Sequence, residues 1–265
     1  MKKILFYYLP LLLLLLNSCS TEENKDSTSL ILPKKIIYKD QNNKTYQTTT
    51  FTYDSNKIVS VSNEFVSIDF VYDGYRIVKE IQYRDNGNSY IEKSYSYSND
   101  SLKTVTKLLN GKETRFLYIN NGDGSIKKEV YNFDNKTGKE SKCDEDMVFT
   151  HLNGNIVKSE YNWGDSYDVI SNSYYEYDKN NNVFKNVTGL NLLIDQLDFY
   201  NEINISSVNN ITRYRVHHIQ GSKSTIVFEP FEYVMKYEYN SEGYPIKKTT
   251  YDYADQIIEI IEYTY

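Results

Sequence analysis

The segment Tyr233-Val234-Met235-Lys236-Tyr237-Glu238-Tyr239-Asn240-Ser241-Glu242-Gly243-Tyr244-Pro245-Ile246 decides how this chain folds. Tyr233, Met235, Tyr237 and Tyr239 alternate with Val234, Lys236 and Glu238. A period of two puts each set on its own face of a strand. One face is bulky and apolar and the other largely charged, as an antiparallel sheet with one packed and one wet side requires. Glu242-Gly243 supplies a turn, because glycine accepts the positive φ of tight hairpins. Ile246 then opens a return strand.

The same unit recurs along the chain. Phe51-Thr52-Tyr53 leads through Asp54-Ser55-Asn56-Lys57 to Ile58, and Phe70-Val71-Tyr72 through Asp73-Gly74 to Ile77. Tyr95-Ser96-Tyr97 leads through Asn99-Asp100 to Leu102, and Phe116-Leu117-Tyr118 through Asn121-Gly122-Asp123-Gly124 to Ile126. Tyr175-Glu176-Tyr177 leads through Asp178 and Asn180 to Asn182 and then Val183, while a looser copy runs from Val148-Phe149 through Asn153-Gly154 to Ile156. Repeated strand–turn–strand units predict an all-β fold, an antiparallel meander of consecutive hairpins. It curls into a barrel-like or open rolled sheet. The uneven spacing argues against a fixed-period solenoid. Each tyrosine is read first as core or cross-strand packing, since one ring buries about 150–250 Å².

One stretch departs from this period. In Gly189-Leu190-Asn191-Leu192-Leu193-Ile194-Asp195-Gln196-Leu197 the apolar positions 190, 193, 194 and 197 have helical spacing. A short helix near 189–198 is expected, plugging or capping the sheet. Asn209-Asn210-Ile211-Thr212 reads as a turn back into a strand through Tyr214 and Val216.

The N-terminus carries the plainest functional signal. Lys2 and Lys3 precede an apolar run from Ile4 to Leu16 broken only by Pro10. As a helix it rises about 20 Å, short of the roughly 30 Å of bilayer hydrocarbon, which suits a signal peptide. Leu16-Asn17-Ser18-Cys19 resembles a lipobox, with Asn17 departing from the usual small or apolar residue. The resemblance implies cleavage before Cys19 and lipid on its sulfur. Two or three acyl chains would hold a protein at a membrane far more firmly than one. The expected organisation is a lipoprotein signal peptide at 1–18, a lipidated N-terminus and tether at 19–33, and one β-meander domain at 34–265. Ser20-Thr21-Glu22-Glu23 resembles the polar-then-acidic export signal of surface lipoproteins in Bacteroidota. An outer-membrane, cell-surface location is expected.

Composition narrows the chemistry. Loss of Lys2 and Lys3 takes the net charge from −6 to −8, which disfavours a nucleic-acid partner. With Cys19 taken by lipid, Cys143 is left alone, so packing must hold the fold. Its neighbours Asp144, Glu145 and Asp146 disfavour a thiolate. His151, His217 and His218 are the available imidazoles. Adjacent residues on a strand face opposite ways, so His217 and His218 cannot chelate one metal together. Neither Asn120-Asn121-Gly122-Asp123-Gly124 nor the Asp178-x-Asn180-x-Asn182 stretch matches a calcium loop, and both are read as hairpin turns. No Gly-x-Ser-x-Gly elbow and no phosphate-cradling glycine loop occurs. No enzyme activity, cofactor or metal is expected. Asp26-Ser27-Thr28 and Asp100-Ser101-Leu102 fit a short O-glycosylation pattern.

The tyrosine–aspartate–turn–aliphatic units resemble the YD repeats of Rhs-type proteins. Together with the lipobox, Gly189-Leu190-Asn191-Leu192-Leu193 and Val208-Asn209-Asn210-Ile211-Thr212, they are similar to Bacteroidota lipoproteins of unknown function with a porin-like, barrel-like sheet. The resemblance implies a curled antiparallel sheet and brings no activity. The expected role is a non-enzymatic binding module for a glycan or another envelope protein, with Tyr161 and Trp163 as ligand-stacking residues. The alternatives are a scaffold with no small ligand or a glycan-processing enzyme. The alternating terminus Ile257-x-Glu259-x-Ile261-x-Tyr263-x-Tyr265 also resembles an outer-membrane barrel signal. Charge on both faces of Ile126-Lys127-Lys128-Glu129 and Ile246-Lys247-Lys248-Thr249 argues against lipid contact.

Overall fold

The computed structural model describes residues 30–84, 89–165, 167–197, 205–221 and 229–265. The expected signal peptide, Cys19 and Asp26-Ser27-Thr28 lie outside the described residues. The strands are β1 (Lys35–Lys39), β2 (Thr45–Asp54), β3 (Lys57–Ser62), β4 (Val66–Asp73), β5 (Arg76–Arg84), β6 (Ser89–Ser98), β7 (Ser101–Leu109) and β8 (Lys112–Asn120). They continue as β9 (Ser125–Asp134), β10 (Lys139–Leu152), β11 (Asn155–Asn162), β12 (Val169–Tyr177), β13 (Ile211–Gln220), β14 (Phe231–Tyr239), β15 (Pro245–Tyr251) and β16 (Ile257–Thr264). Every strand pairs antiparallel with its chain neighbours, and β1 pairs with β16 to close a 16-stranded barrel. The expected meander is therefore fully closed, which removes exposed sheet edges.

The repeated unit has a shared geometry. On six return strands of the unit one extra residue follows the first or second paired residue: Val59, Val78, Lys103, Val157, Thr212 and Ile246. Such bulges bend a strand and increase its twist, which helps a sheet close. They also end the ladder to the next hairpin, and a tyrosine takes over there. The hydroxyls of Tyr97, Tyr177, Tyr237 and Tyr265 donate to the carbonyls of Ile77, Ile156, Ile211 and Pro245 at 2.6, 2.7, 2.9 and 2.7 Å. Tyr53 donates likewise to Pro33, and Tyr72 accepts the Ile58 N–H. Each of these tyrosines lies three residues past the last ladder partner of its strand. The second aromatic of the unit thus satisfies a backbone group that the bulge has left without a ladder partner.

The connection from β12 to β13 folds into the barrel as a plug. Val183, Phe184, Val187, Leu190, Leu193, Ile194 and Leu197 join one core with Ile36, Phe51, Ile77, Val105, Phe149 and Ile261 of the wall. The expected short helix is present as a single 3-10 turn, Leu190–Leu192, between Gly189 at φ 82 and Ile194 at φ 55, while one expectation changes. The apolar spacing marks burial against the wall, and the left-handed residues prevent a longer helix. Asp178-x-Asn180-x-Asn182 is the start of the plug rather than a hairpin turn. The return strand for Tyr177 begins at Ile211, because Val183 and Phe184 are drawn into the core. Asp178 receives the Asn210 backbone N–H and side chain, pinning the two ends of the plug together.

The two faces of the wall differ in charge. Outward positions carry ion pairs between neighbouring strands: Lys39–Glu262, Lys79–Glu92, Lys127–Asp146, Arg213–Glu232, Arg215–Glu176 and Lys247–Glu238. One Lys or Arg facing lipid at the bilayer midplane costs about 2–4 kcal/mol. An outer wall charged on this many strands is built to face water. The inner face is layered. Aliphatic and aromatic residues pack the plug, and beyond them Gln47, Thr49, Glu80, Lys248 and Thr250 are buried polar positions. All sixteen strands and the plug lie within the compact unit Ile31–Tyr265.

Candidate functional site

The inner face of β2 to β7, with Leu197 of the plug, encloses a cavity of about 350 Å³. Ligand pockets run from about 300 to 1,000 Å³, so the space suits a small molecule. Strand alternation explains its lining. After the Val78 bulge, β5 turns Glu80, Gln82 and Arg84 to the side on which Ile77 is buried. On β6, Lys93 precedes buried Tyr95 by one period, and on β7 Lys107 follows buried Val105 by one period.

The charges are not balanced. Glu80 is 3% exposed, receives the Tyr95 hydroxyl at 2.6 Å, and pairs with Lys93 at 3.2 Å. Lys93 also donates to the Gln196 carbonyl at 2.7 Å, tying the wall to the plug. Burial holds the Tyr95 hydroxyl well above its ordinary pKa, and the Glu80 carboxylate adds to this. Arg84 and Lys107 also line the cavity and make no ion pair among the described residues. Burial lowers the pKa of Lys107, and the charges of Lys93 and Arg84 lower it further.

A second charged group anchors the plug. Lys128 pairs with Asp195, which also accepts the Tyr118 hydroxyl at 2.6 Å, while Gln196 Nε2 donates to Tyr118. Burial pushes the Asp195 carboxyl up, but the Lys128 charge and these hydrogen bonds outweigh it and hold the group below its ordinary value.

Tyr161 and Trp163 sit at the opposite side of the wall, where β11 turns into β12, and neither lines the cavity. Their rings are 5.3 Å apart, and Tyr167 lies edge-on to Trp163 at 5.9 Å. Both polar tips are engaged: Tyr161 donates to Glu145 at 2.5 Å and Trp163 Nε1 to Ser171 at 2.7 Å. Ser171 Oγ lies 2.8 Å from His218 Nδ1. That spacing would suit a nucleophile and its base. However, Ser171 is only 8% exposed and already receives the Trp163 N–H. Sequence spacing could not show this pair, because its members are 47 residues apart. His217 faces the other side of β13, against Tyr174. The Cys143 thiol is pushed up chiefly by burial, with Glu145 and Asp144 adding their charge. Among the described residues, no group of three or more His, Cys, Asp or Glu could hold a metal ion.

The sequence reading did not single out Arg84, Lys93 or Lys107. The available signal was phase, because Lys93 and Lys107 fall in register with the buried aromatic and aliphatic positions of their own strands.

No protein-family model and no curated protein matches the chain. Its fold is similar to that of a porin-like protein from Bacteroides vulgatus, with a TM-score of 0.58, 10% identity, and coverage of 89% of this chain and 99% of that one. A porin-like protein from Bacteroides uniformis aligns with a TM-score of 0.45 and 13% identity over 88% of this chain and 97% of that one. At these identities the likeness is one of fold: an all-β, closed, porin-like barrel.

Proposed function

We propose that this chain is a lipid-anchored lipoprotein of the outer membrane, displayed at the cell surface, whose water-facing barrel binds a ligand in its lumen without catalysing a reaction. The cavity beside the plug carries the binding part of this reading, since the apolar packing stops short of Lys93, Lys107 and Gln82 and leaves room there. The charged outer wall favours a tethered domain over a lipid-embedded one. The lipobox-like Leu16-Asn17-Ser18-Cys19 supports the anchor, and the porin-like Bacteroides neighbour fits an envelope setting.

A cavity-filling variant tests the binding reading. Ile91→Trp fills the space from β6. Sugars and organic acids that raise the melting temperature of the native protein should lose that effect in the variant. Equal stabilisation of both proteins would place binding elsewhere, and no stabilisation by any compound would leave the lumen without a ligand. Cys19→Ala tests the anchor, because the mature chain should leave the membrane fraction. Protease treatment of intact cells tests surface display.

The second reading is a scaffold with no small ligand. The engaged polar tips of Tyr161 and Trp163 favour it, because both side chains serve the protein's own contacts.

A further inference from the structure

The geometry points to a small amphiphilic organic anion as the ligand of the lumenal cavity, with its charged group against Arg84 and Lys107 and its aliphatic part on the plug side. The inference rests on the binding role proposed above and gives it a ligand class.

Two features of the cavity carry it. The first is an imbalance of charge. Glu80 and Lys93 neutralise each other, and Tyr95 and the Gln196 carbonyl complete their hydrogen bonds. Arg84 and Lys107 share the same space, and among the described residues neither has a carboxylate within ion-pair distance. Two cations left unpaired around one concave space give it a positive potential, and low-dielectric walls focus that potential. Lys107 is disfavoured as a cation by burial and by its cationic neighbours, so an anion placed there would relieve it, with the exposed Arg84 adding a second positive charge. On the outer wall, by contrast, Lys39, Lys79, Lys127, Arg215 and Lys247 each pair with a carboxylate on a neighbouring strand.

The second feature is the rest of the lining. Val61, Ile68, Ile91 and Leu197 offer aliphatic surface, and among the described residues no aromatic ring borders the space. That lining does not suit stacking on a sugar face, which uses rings. It suits methylene groups, each favouring burial by about 0.8 kcal/mol. Gln82 and Thr49 supply neutral hydrogen-bonding groups between the two regions.

Three probes separate the contributions in the barrel unit Ile31–Tyr265, which holds every strand and the plug. Octanoate has both parts, octanol only the chain, and inorganic phosphate only the charge. Methyl NMR signals of Ile68, Ile91 and Leu197 report occupancy, and titration gives affinity. Octanoate should move these signals and bind at least tenfold more tightly than either other probe. Lys107→Gln and Arg84→Gln should each weaken octanoate about tenfold, since a hydrogen bond to a charged group contributes about 1.5–3 kcal/mol. Octanol binding should not change in these variants. Arg84→Lys keeps the charge and should retain most of the affinity, which separates charge loss from damage to the fold. Octanol binding as well as octanoate, or octanoate unaffected by either charge loss, would overturn the anion assignment and leave the lumen as a binding site. Silent methyl signals with all three probes would also overturn it, and the binding role would then stand or fall on the Ile91→Trp comparison.

Discussion

Removing one hydroxyl tests the account of how the repeated unit closes the barrel. Tyr97 donates to the Ile77 carbonyl at 2.6 Å, at the point where the Val78 bulge has ended the ladder between β5 and β6. Ile77 is 0% exposed, so water cannot easily replace the lost donor. A net hydrogen bond contributes about 0.5–1.5 kcal/mol, and a buried group left unsatisfied costs about 1–3 kcal/mol. Tyr97→Phe keeps the ring and its packing, so the change should lie near 2 kcal/mol. Tyr174→Phe is the control, because its ring faces outward from β12 beside Lys158 and His217 and is 38% exposed. Surface changes of that kind fall within about 0.5 kcal/mol. Urea unfolding followed by fluorescence gives both values, provided the slope of the transition is unchanged. A Tyr97→Phe effect no larger than that of Tyr174→Phe would refute the role assigned to these tyrosines.

Further predictions concern pH, the plug and its backbone. Burial raises the Tyr72 hydroxyl to about 12, above its ordinary value of 10.0. A raised folded-state pKa gives stability that is complete below pH 10 and lost as pH rises toward 12, so alkaline titration should show unfolding beginning in that window and a smaller slope in Tyr72→Phe. Asp195 is held below its ordinary carboxyl value, so its contribution is present above about pH 4 and lost on further acidification. Asp195→Asn leaves Lys128 without its partner and should cost about 3–5 kcal/mol at neutral pH, read by chemical denaturation. It should also flatten the acid limb of the stability curve. Gly189→Ala would bring a methyl group within 2.7 Å of the Tyr75 carbonyl at a φ of +82. It should lower stability by about 1–3 kcal/mol, measured as a drop in melting temperature.

Much of the wall was legible because side-chain period and turn chemistry are local. Phe51-Thr52-Tyr53 and Tyr95-Ser96-Tyr97 each announced a strand, a turn and a return strand, and the hairpins formed as expected. Ring closure was not legible, because pairing of Ile36 with Tyr263 joins residues at opposite ends of the chain. The plug was partly legible. Leu190, Leu193, Ile194 and Leu197 were marked as buried by their spacing, and the short helix that the same spacing implied is held to one 3-10 turn by the left-handed Gly189 and Ile194. Val183 looked like a return strand because an aliphatic residue after a polar turn reads alike in both settings. At Pro245-Ile246, Pro245 pairs with Tyr239, and Ile246 is the outward bulge residue, 41% exposed.

The candidate site was the least legible part. Lys107 and Arg84 look like any solvated charge until the phase of their strands is followed through the bulges. Tyr161 and Trp163 are neighbours as expected, but their hydrogen bonds to Glu145 and Ser171 depend on strands whose pairing spacing does not reveal. In a barrel whose polar outer face and apolar plug invert the usual porin pattern, inward charges carry more functional information than the half-buried Tyr161 and Trp163, whose polar tips are already engaged.

The central claim is that this closed, porin-like barrel faces water on its outside. Analytical ultracentrifugation of residues 31–265 without detergent, joined to amide exchange, tests it directly. The account predicts a folded, non-aggregated species with protected amides around the whole ring, including the β1–β16 seam. A chain that precipitates, or that shows this protection only in detergent, would contradict it.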